Sequence, residues 1–81
     1  MNNIDEQLKG HVGDFILIFF KDGGCMRGYI KTYNNQFITL TKAEYIPHIG
    51  VTQFFRKINV VIDNDIKDAY CIKKEVDNDE R

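Results

Sequence analysis

The chain has 81 residues, with 11 Lys and Arg against 12 Asp and Glu, and a formal net charge of −1 at pH 7. That length excludes a second domain and disfavours a two-lobed catalytic cleft. The near-neutral charge excludes a polycationic nucleic-acid clamp, although it allows a local basic patch. Apolar residues make up 43% of the chain, which is typical of a globular protein whose small core favours oligomerisation.

The N-terminal segment does not have the pattern of an export signal. It contains acidic residues and no apolar h-region, and the longest apolar run in the chain is the six-residue FILIFF. Such a run is far too short for a membrane span, so we expect a cytoplasmic protein with no membrane partner. Cys25 and Cys71 have no CxxC or His-pair neighbours, which predicts free thiols and neither a metal nor a cofactor. An interstrand disulfide is the less favoured alternative.

A short helix is predicted at the start of the chain, over about residues 3–10. Asn3 and Glu6 have the spacing of a capping box. Ile4 and Leu8 lie one turn apart and form an apolar stripe. Because so short a helix is unstable alone, it is expected to pack on the rest of the domain or on a neighbouring subunit.

Five segments rich in apolar and β-branched residues follow. Asp22-Gly23 supplies the positive φ of a tight hairpin turn, and Gly28 interrupts the second segment, which is typical of a sharp bend or a close backbone approach. The sequence therefore predicts one domain over residues 1–72, with strands at about 13–21, 25–33, 37–45, 53–62 and 66–72. Residues 73–81 lack apolar periodicity and are predicted to form a disordered tail.

The two faces of the strands are assigned by alternation. The first strand is apolar on both faces, so Phe15, Leu17 and Phe19 need a cover outside the core, supplied by the helix or by a neighbouring subunit. In the fourth strand the residues predicted to share one side are Phe54, Ile58, Val60 and Ile62, with Lys57 and Asn59 on the other. Five short antiparallel strands without a crossover helix can bury a common core only by curling into a small SH3-like or OB-like barrel.

Residues 12–40 resemble the first signature of the Sm and Sm-like (LSm, Hfq-like) family. An apolar strand ends at the Asp22-Gly23 turn, Gly28 follows five residues later and Tyr33 five residues after that, with Met26 at an inward position. The resemblance implies an N-terminal helix followed by a five-stranded, strongly bent antiparallel open barrel. It also implies a homo-oligomeric ring, usually of about six or seven subunits, closed by pairing of the fourth and fifth strands.

The same resemblance implies binding of single-stranded RNA, rich in U or A, by base stacking and hydrogen bonding. Two alignments of the third strand compete. Without an insertion, Gln36 takes the stacking position and Ile38 the base-reading position. With one extra residue in the turn, Phe37 stacks and Thr39 reads; this alignment is preferred because Ile38 and Leu40 then face inward.

The remaining candidate residues come from the turns and from a basic cluster. The family's acidic position falls on Asn34, and Asp63-Asn64 replaces the Arg-Gly of the second signature, which puts a carboxylate where phosphates would lie. Arg56 and Lys57 follow two Phe residues, and either contact a nucleotide or are solvated charges on an edge strand. The predicted RNA-binding residues are Asn34, Asn35, Phe37, Thr39, Asn64, Arg56 and Lys57.

Two other functions stay open, and catalysis is not expected. The barrel could be a protein-interaction or structural assembly module that binds no RNA, or, with less support, an OB-like binder of single-stranded DNA. The chain contains no Ser, and His11 and His48 have no partner at triad or ligand spacing. The acidic residues Asp63, Asp65 and Asp68 lack the pattern of a calcium loop.

Overall fold

The computed structural model describes residues 8–72, which form a single antiparallel sheet. Its strands are β1 (Phe15–Phe20), β2 (Cys25–Tyr33), β3 (Phe37–Ile46), β4 (Gln53–Val61) and β5 (Ile66–Ile72). The strand order across the sheet is β4-β3-β2-β1-β5. The prediction of five antiparallel strands is confirmed, and the described residues contain no helical element. Most of the predicted helix, residues 3–7, and the predicted tail, residues 73–81, lie outside the described residues.

The β1–β2 hairpin is closed by the turn that its sequence predicts. The Asp22 carboxylate accepts the N–H of Gly24 at 2.8 Å, and the Phe20 N–H donates to the Gly24 carbonyl at 2.9 Å. Gly23 has a φ of 94°, in the left-handed region that a side chain would strain. The turn sets the pairing of β1 with β2, in which Ile18 faces Met26.

One face of the sheet carries the core. Within β1 the alternation is as predicted, because Ile16 and Ile18 are fully buried while Phe19 points outward and is partly exposed. Leu8 is also fully buried and packs on this core from the N-terminal side. The buried apolar residues are Leu8, Ile16, Ile18, Met26, Ile30, Ile38, Leu40, Ala43, Val60 and Ile66.

The pairing of β2 with β3 is irregular at Gly28, where the two backbones lie close together. A Cβ atom on Gly28 would lie 3.1 Å from both the Cα and the Cβ of Ala43, tighter than almost all real contacts of this kind. The pairing register shifts between Arg27 and Tyr29, and Lys42 on β3 has a φ of 50°. This is a β-bulge, which adds a residue to one strand and bends it. A side chain at position 28 would therefore have to displace the backbone of β3 by a few tenths of an ångström.

Along β4, the alternation of inward and outward side chains is interrupted beside the bulge of β3. Phe54, predicted to lie on the same side as Ile58 and Val60, is 73% exposed, and Phe55 packs against the core in its place. Arg56 and Lys57 are consecutive and both exposed, whereas Ile58 faces inward again. The prediction for Phe54 was wrong because it carried one uninterrupted alternation through a strand that bends alongside the bulge of β3.

Both outer strands of the sheet keep a free edge. β4 is bonded to β3 on one side and β5 to β1 on one side, with no pairing between β4 and β5 in the described sheet. The Ile62 N–H, just after β4, donates to the Gln36 carbonyl at 2.8 Å and so points toward β3. Because successive N–H groups of a strand point in opposite directions, the Val61 N–H points toward the free edge.

Gly28→Val tests the close approach of β2 and β3. We expect the free energy of unfolding to fall by about 2 kcal/mol, because the added methyl groups push against the backbone of Ala43. Urea denaturation followed by circular dichroism measures the change. Thr32→Val, at an exposed position of the same strand, is the matched control, with an expected change below about 0.5 kcal/mol. Equal stability of both variants would contradict the assignment of the bend to Gly28.

Candidate nucleic-acid interface

Two turns from distant parts of the sequence meet at one end of the sheet. The first joins β2 to β3 through residues 34–36, and the second joins β4 to β5 through residues 62–65. Phe37 pairs with Val61 across β3 and β4, and the Ile62 N–H donates to the Gln36 carbonyl. The structure therefore brings the turn that carries Asn35 beside the turn that carries Asn64.

Asn34 builds the first of these turns. Its Oδ1 accepts the N–H of Gln36 at 2.7 Å and the N–H of Phe37 at 2.9 Å, and its own N–H donates to the Phe37 carbonyl at 3.0 Å. The side chain thus replaces a missing backbone partner, as Asn commonly does in tight turns. Asn35, at the tip, is exposed, and Phe37 is half-buried.

Thr39 is inaccessible from outside the protein. It is 4% exposed, and its hydroxyl donates to Oδ1 of Asn59 on β4 at 2.7 Å. Sequence reasoning did not assign a role to Asn59, and only the β3–β4 register, which pairs the two residues directly, reveals it. Ile38 and Leu40 on either side are fully buried, the orientation on which the preferred alignment of this strand depends.

The second turn carries negative charge. The Asp65 N–H donates to Oδ1 of Asp63 at 2.9 Å, so turn chemistry accounts for Asp63. Beside this turn lies a cavity of about 340 Å³ with an aromatic and aliphatic wall and a rim of carboxylates. Its lining residues are Phe20, Asp22, Tyr45, Val60, Val61, Asp63 and Asp65. The carboxylates next to Asn64 oppose the approach of phosphate groups.

Arg56 and Lys57 do not join the two turns. Lys57 pairs with Thr41 in the middle of the sheet, four residues before Val61 at the end of β4. Four residues of strand correspond to about 13 Å. The predicted RNA-binding residues therefore separate into a turn group and a basic pair on an outer strand.

His11 and Asp14, near the start of the described residues, lie close to Cys71 on β5. Nδ1 of His11 is 2.9 Å from Oδ2 of Asp14, so the expectation that His11 has no acidic partner was wrong; the pairing spans only three residues. His11 and Cys71 line the same cavity of about 260 Å³. Burial raises the pKa of the Cys71 thiol, and the nearby Asp14 carboxylate raises it further. A thiol that stays protonated at neutral pH is a poor nucleophile.

The described residues contain no group of three or more His, Cys, Asp and Glu side chains able to hold a metal ion. Nor does any helix among them have the length and apolar character needed to cross a membrane. Comparison of the chain with protein-family models and with curated proteins found no match. Any functional assignment must therefore rest on the geometry of the described residues.

The adjacent pair Asn34 and Asn35 tests the role of the first turn. Asn34→Ala is expected to lower the free energy of unfolding by about 1 kcal/mol, because two turn N–H groups lose their acceptor. Asn35→Ala, its exposed neighbour, is the control and should change it by less than about 0.5 kcal/mol. Urea denaturation reports both values. Asn34→Asp keeps the acceptor oxygen and should remain close to the wild type; a loss as large as that of Asn34→Ala would contradict the capping role.

Proposed function

We propose that this chain is an Sm-like protein that assembles into a homo-oligomeric ring and binds single-stranded RNA at its two adjacent turns. The observation that carries the proposal is the combination of the strand order β4-β3-β2-β1-β5 with a bend at Gly28. This combination fits the bent barrel that the spacing of Gly23, Gly28 and Tyr33 implies. The proposal includes the barrel itself, since the described sheet establishes five antiparallel strands only.

Assembly is supported by the two free edges of the sheet. Each edge offers unpaired backbone N–H and C=O groups, and small proteins dispose of such edges by covering them or by pairing them with another chain. An edge of β4 that meets the β5 edge of a second copy forms a head-to-tail contact, which closes into a ring if the rotation permits. The outward-facing Tyr70 and Ile72 on β5 remain about half exposed, and such a contact would cover part of them.

RNA contact is proposed at three side chains of the turn group. Phe37 offers a half-buried ring beside a turn, which is suited to stacking on one base, and the exposed amides of Asn35 and Asn64 are suited to hydrogen bonding with base edges. Asn34 and Thr39 contribute indirectly, because their polar atoms bond within the protein. In a ring, each subunit would supply one such stacking position.

The charge of the turns limits the affinity. Asp63 and Asp65 flank Asn64, and one unit charge about 8 Å from a phosphate costs on the order of 0.5 kcal/mol in water. Arg56 and Lys57 lie away from these turns, so binding is expected to depend on stacking more than on counterion release. The salt dependence of the affinity should accordingly be shallow.

Val61→Pro tests the assembly. Proline removes the N–H that points to the free edge of β4, where it costs the subunit little because no partner strand among the described residues uses that group. Native mass spectrometry is expected to give a ring of the wild-type chain and monomers of the variant. Val61→Ser, which keeps the N–H, should assemble like the wild type. A monomeric wild-type chain, or a ring formed by Val61→Pro, would contradict assembly through this edge.

Phe37→Ala tests the RNA site. Fluorescence anisotropy with labelled oligo-U and oligo-A is expected to show a loss of affinity of about tenfold, the usual effect of losing one stacked base. Phe54→Ala removes an exposed ring on the other half of the sheet and serves as the control, with unchanged affinity. Equal affinities of the two variants would place the RNA elsewhere.

A second function, that of a protein-interaction or structural assembly module, is favoured by one observation. The outward face of β1 and β5 is apolar apart from Asp68, which pairs with Phe19, and the rings of Phe19 and Tyr70 meet edge to face there, 5.8 Å apart. Such a face suits a protein better than a nucleic acid. A chain that assembles but binds neither oligonucleotide would support this second function over the first.

A further inference from the structure

The loop between β3 and β4 carries the most exposed large apolar side chains among the described residues. Ile49 is 86% exposed, Val51 is 83% exposed, and Phe54, at the start of β4, is 73% exposed. All three lie on one hairpin, within six residues of each other. An isolated surface apolar residue needs no explanation, but three at the tip of a single hairpin do.

The base of the loop is held against the rest of the protein, while its tip projects outward. The His48 side chain lies against the β1–β2 turn, where its Nδ1 is 2.9 Å from the place that a Cβ on Gly23 would occupy. Pro47 and Gly50, which has a φ of 128°, fold the loop over its own base. Ile49 and Val51 are thus presented to solvent and do not pack onto the core.

Three cationic side chains lie on β3 and β4, farther from the end of the hairpin than this apolar tip. Lys42, Arg56 and Lys57 are all exposed, and Lys42 and Arg56 lie between two paired positions of β3 and β4, Thr41 with Lys57 and Ala43 with Phe55. No Asp or Glu occurs from residue 45 through residue 62.

The charged groups nearest to the hairpin carry both signs, and Asp22, Asp63 and Asp65 line the cavity that includes Tyr45 at the base of the hairpin. The carboxylate of Glu44, across from Phe54, is held by the Arg27 guanidinium at 2.6 Å. Lys21 and Asp22 on the neighbouring β1–β2 turn carry opposite charges. The hairpin as a whole is therefore apolar at its tip and cationic behind it.

We propose that the β3–β4 hairpin docks the protein on a membrane surface that contains anionic lipids. This departs from the expectation of no membrane partner, which rested on the lack of a spanning segment; surface docking needs none. Ile49, Val51 and Phe54 would enter the boundary between headgroups and acyl chains, at a depth of about 5–10 Å. Arg56 lies five residues behind Val51, at most about 17 Å along an extended strand. Its long side chain, with those of Lys42 and Lys57, spans the remaining distance to the lipid phosphates.

The chemistry of the tip favours lipid over nucleic acid. Aliphatic side chains such as Ile49 and Val51 offer no ring on which a base can stack, whereas their transfer into acyl chains is favourable. The complementary charge of the cations and anionic headgroups selects the membrane surface over an uncharged one. The proposal goes beyond RNA binding and does not need a ring, although a closed ring would set all hairpins at one height and add avidity.

Vesicle sedimentation of the full chain tests the proposal. The probes are vesicles of phosphatidylcholine alone and of phosphatidylcholine with about 30 mol% phosphatidylserine. We expect the wild type to sediment with the anionic vesicles only.

Ile49→Ser combined with Val51→Ser should lower the partition coefficient at least about tenfold, since both substitutions remove apolar surface from the tip. Arg56→Gln combined with Lys57→Gln should remove the preference for anionic vesicles. Val12→Ser, at an exposed apolar position outside the hairpin, is the control and should bind like the wild type.

Two results would overturn the proposal. A wild-type chain that stays in solution with anionic vesicles has no membrane surface site. Unchanged binding of the Ile49→Ser, Val51→Ser variant would mean adsorption by charge only. Native mass spectra and oligonucleotide affinities of the same samples separate this result from the proposed function, because a ring that binds RNA but no vesicles refutes the membrane proposal alone. Circular dichroism checks that the variants, all at exposed positions, remain folded.

Discussion

The structure depends on the close approach of β2 and β3 at Gly28. There the backbone of β3 lies so near that a Cβ on residue 28 would be 3.1 Å from Ala43, and the bulge at Lys42 bends the sheet. The bend allows one face of a single sheet to enclose a core, which a flat sheet of this size cannot do. It also resets the alternation of inward and outward side chains in β3 and β4, which leaves Phe54 exposed and puts Arg56 and Lys57 side by side in solvent.

Three of the four connections between strands are closed by the same kind of hydrogen bond from the backbone to a side chain. In each, an Asp or Asn oxygen accepts the N–H two residues later: Asp22 from Gly24, Asn34 from Gln36, and Asp63 from Asp65. Carboxylates are good turn formers, but they bring charge, and two of them border the acidic cavity near Asn64. The turn with Asn34 obtains the same geometry without a charge. The proposed stacking position at Phe37 thus adjoins the uncharged turn, whereas the carboxylates of the acidic turn would oppose phosphate groups.

The exposed surfaces follow from the small size of the chain. One core face takes most of the aliphatic residues, so the two sheet edges and the tip of the β3–β4 hairpin have no cover within the described residues. The outward face of β1 is partly covered, with Phe15 packed on Tyr29 and Phe19 exposed. A small domain gains little from its core alone and commonly uses such surfaces for association. A free edge can pair with a strand of another chain, and an apolar sheet face can pack on a protein. An apolar tip with cations behind it can bind an anionic membrane surface.

The sequence by itself determined the number of strands, their order along the chain and the inward positions before the bend, because turn residues and short-range alternation are local properties. It also pointed to Gly28 as a bend. Only the tertiary structure decided the strand order in the sheet, the replacement of Phe54 by Phe55 against the core, and the bonding of Thr39 to Asn59 and of His11 to Asp14. It likewise decided that Asn35 and Asn64 lie on neighbouring turns while Arg56 and Lys57 do not. Cross-strand register and the phase of alternation beyond a bulge are set by backbone contacts between segments far apart in sequence, and no local pattern records them.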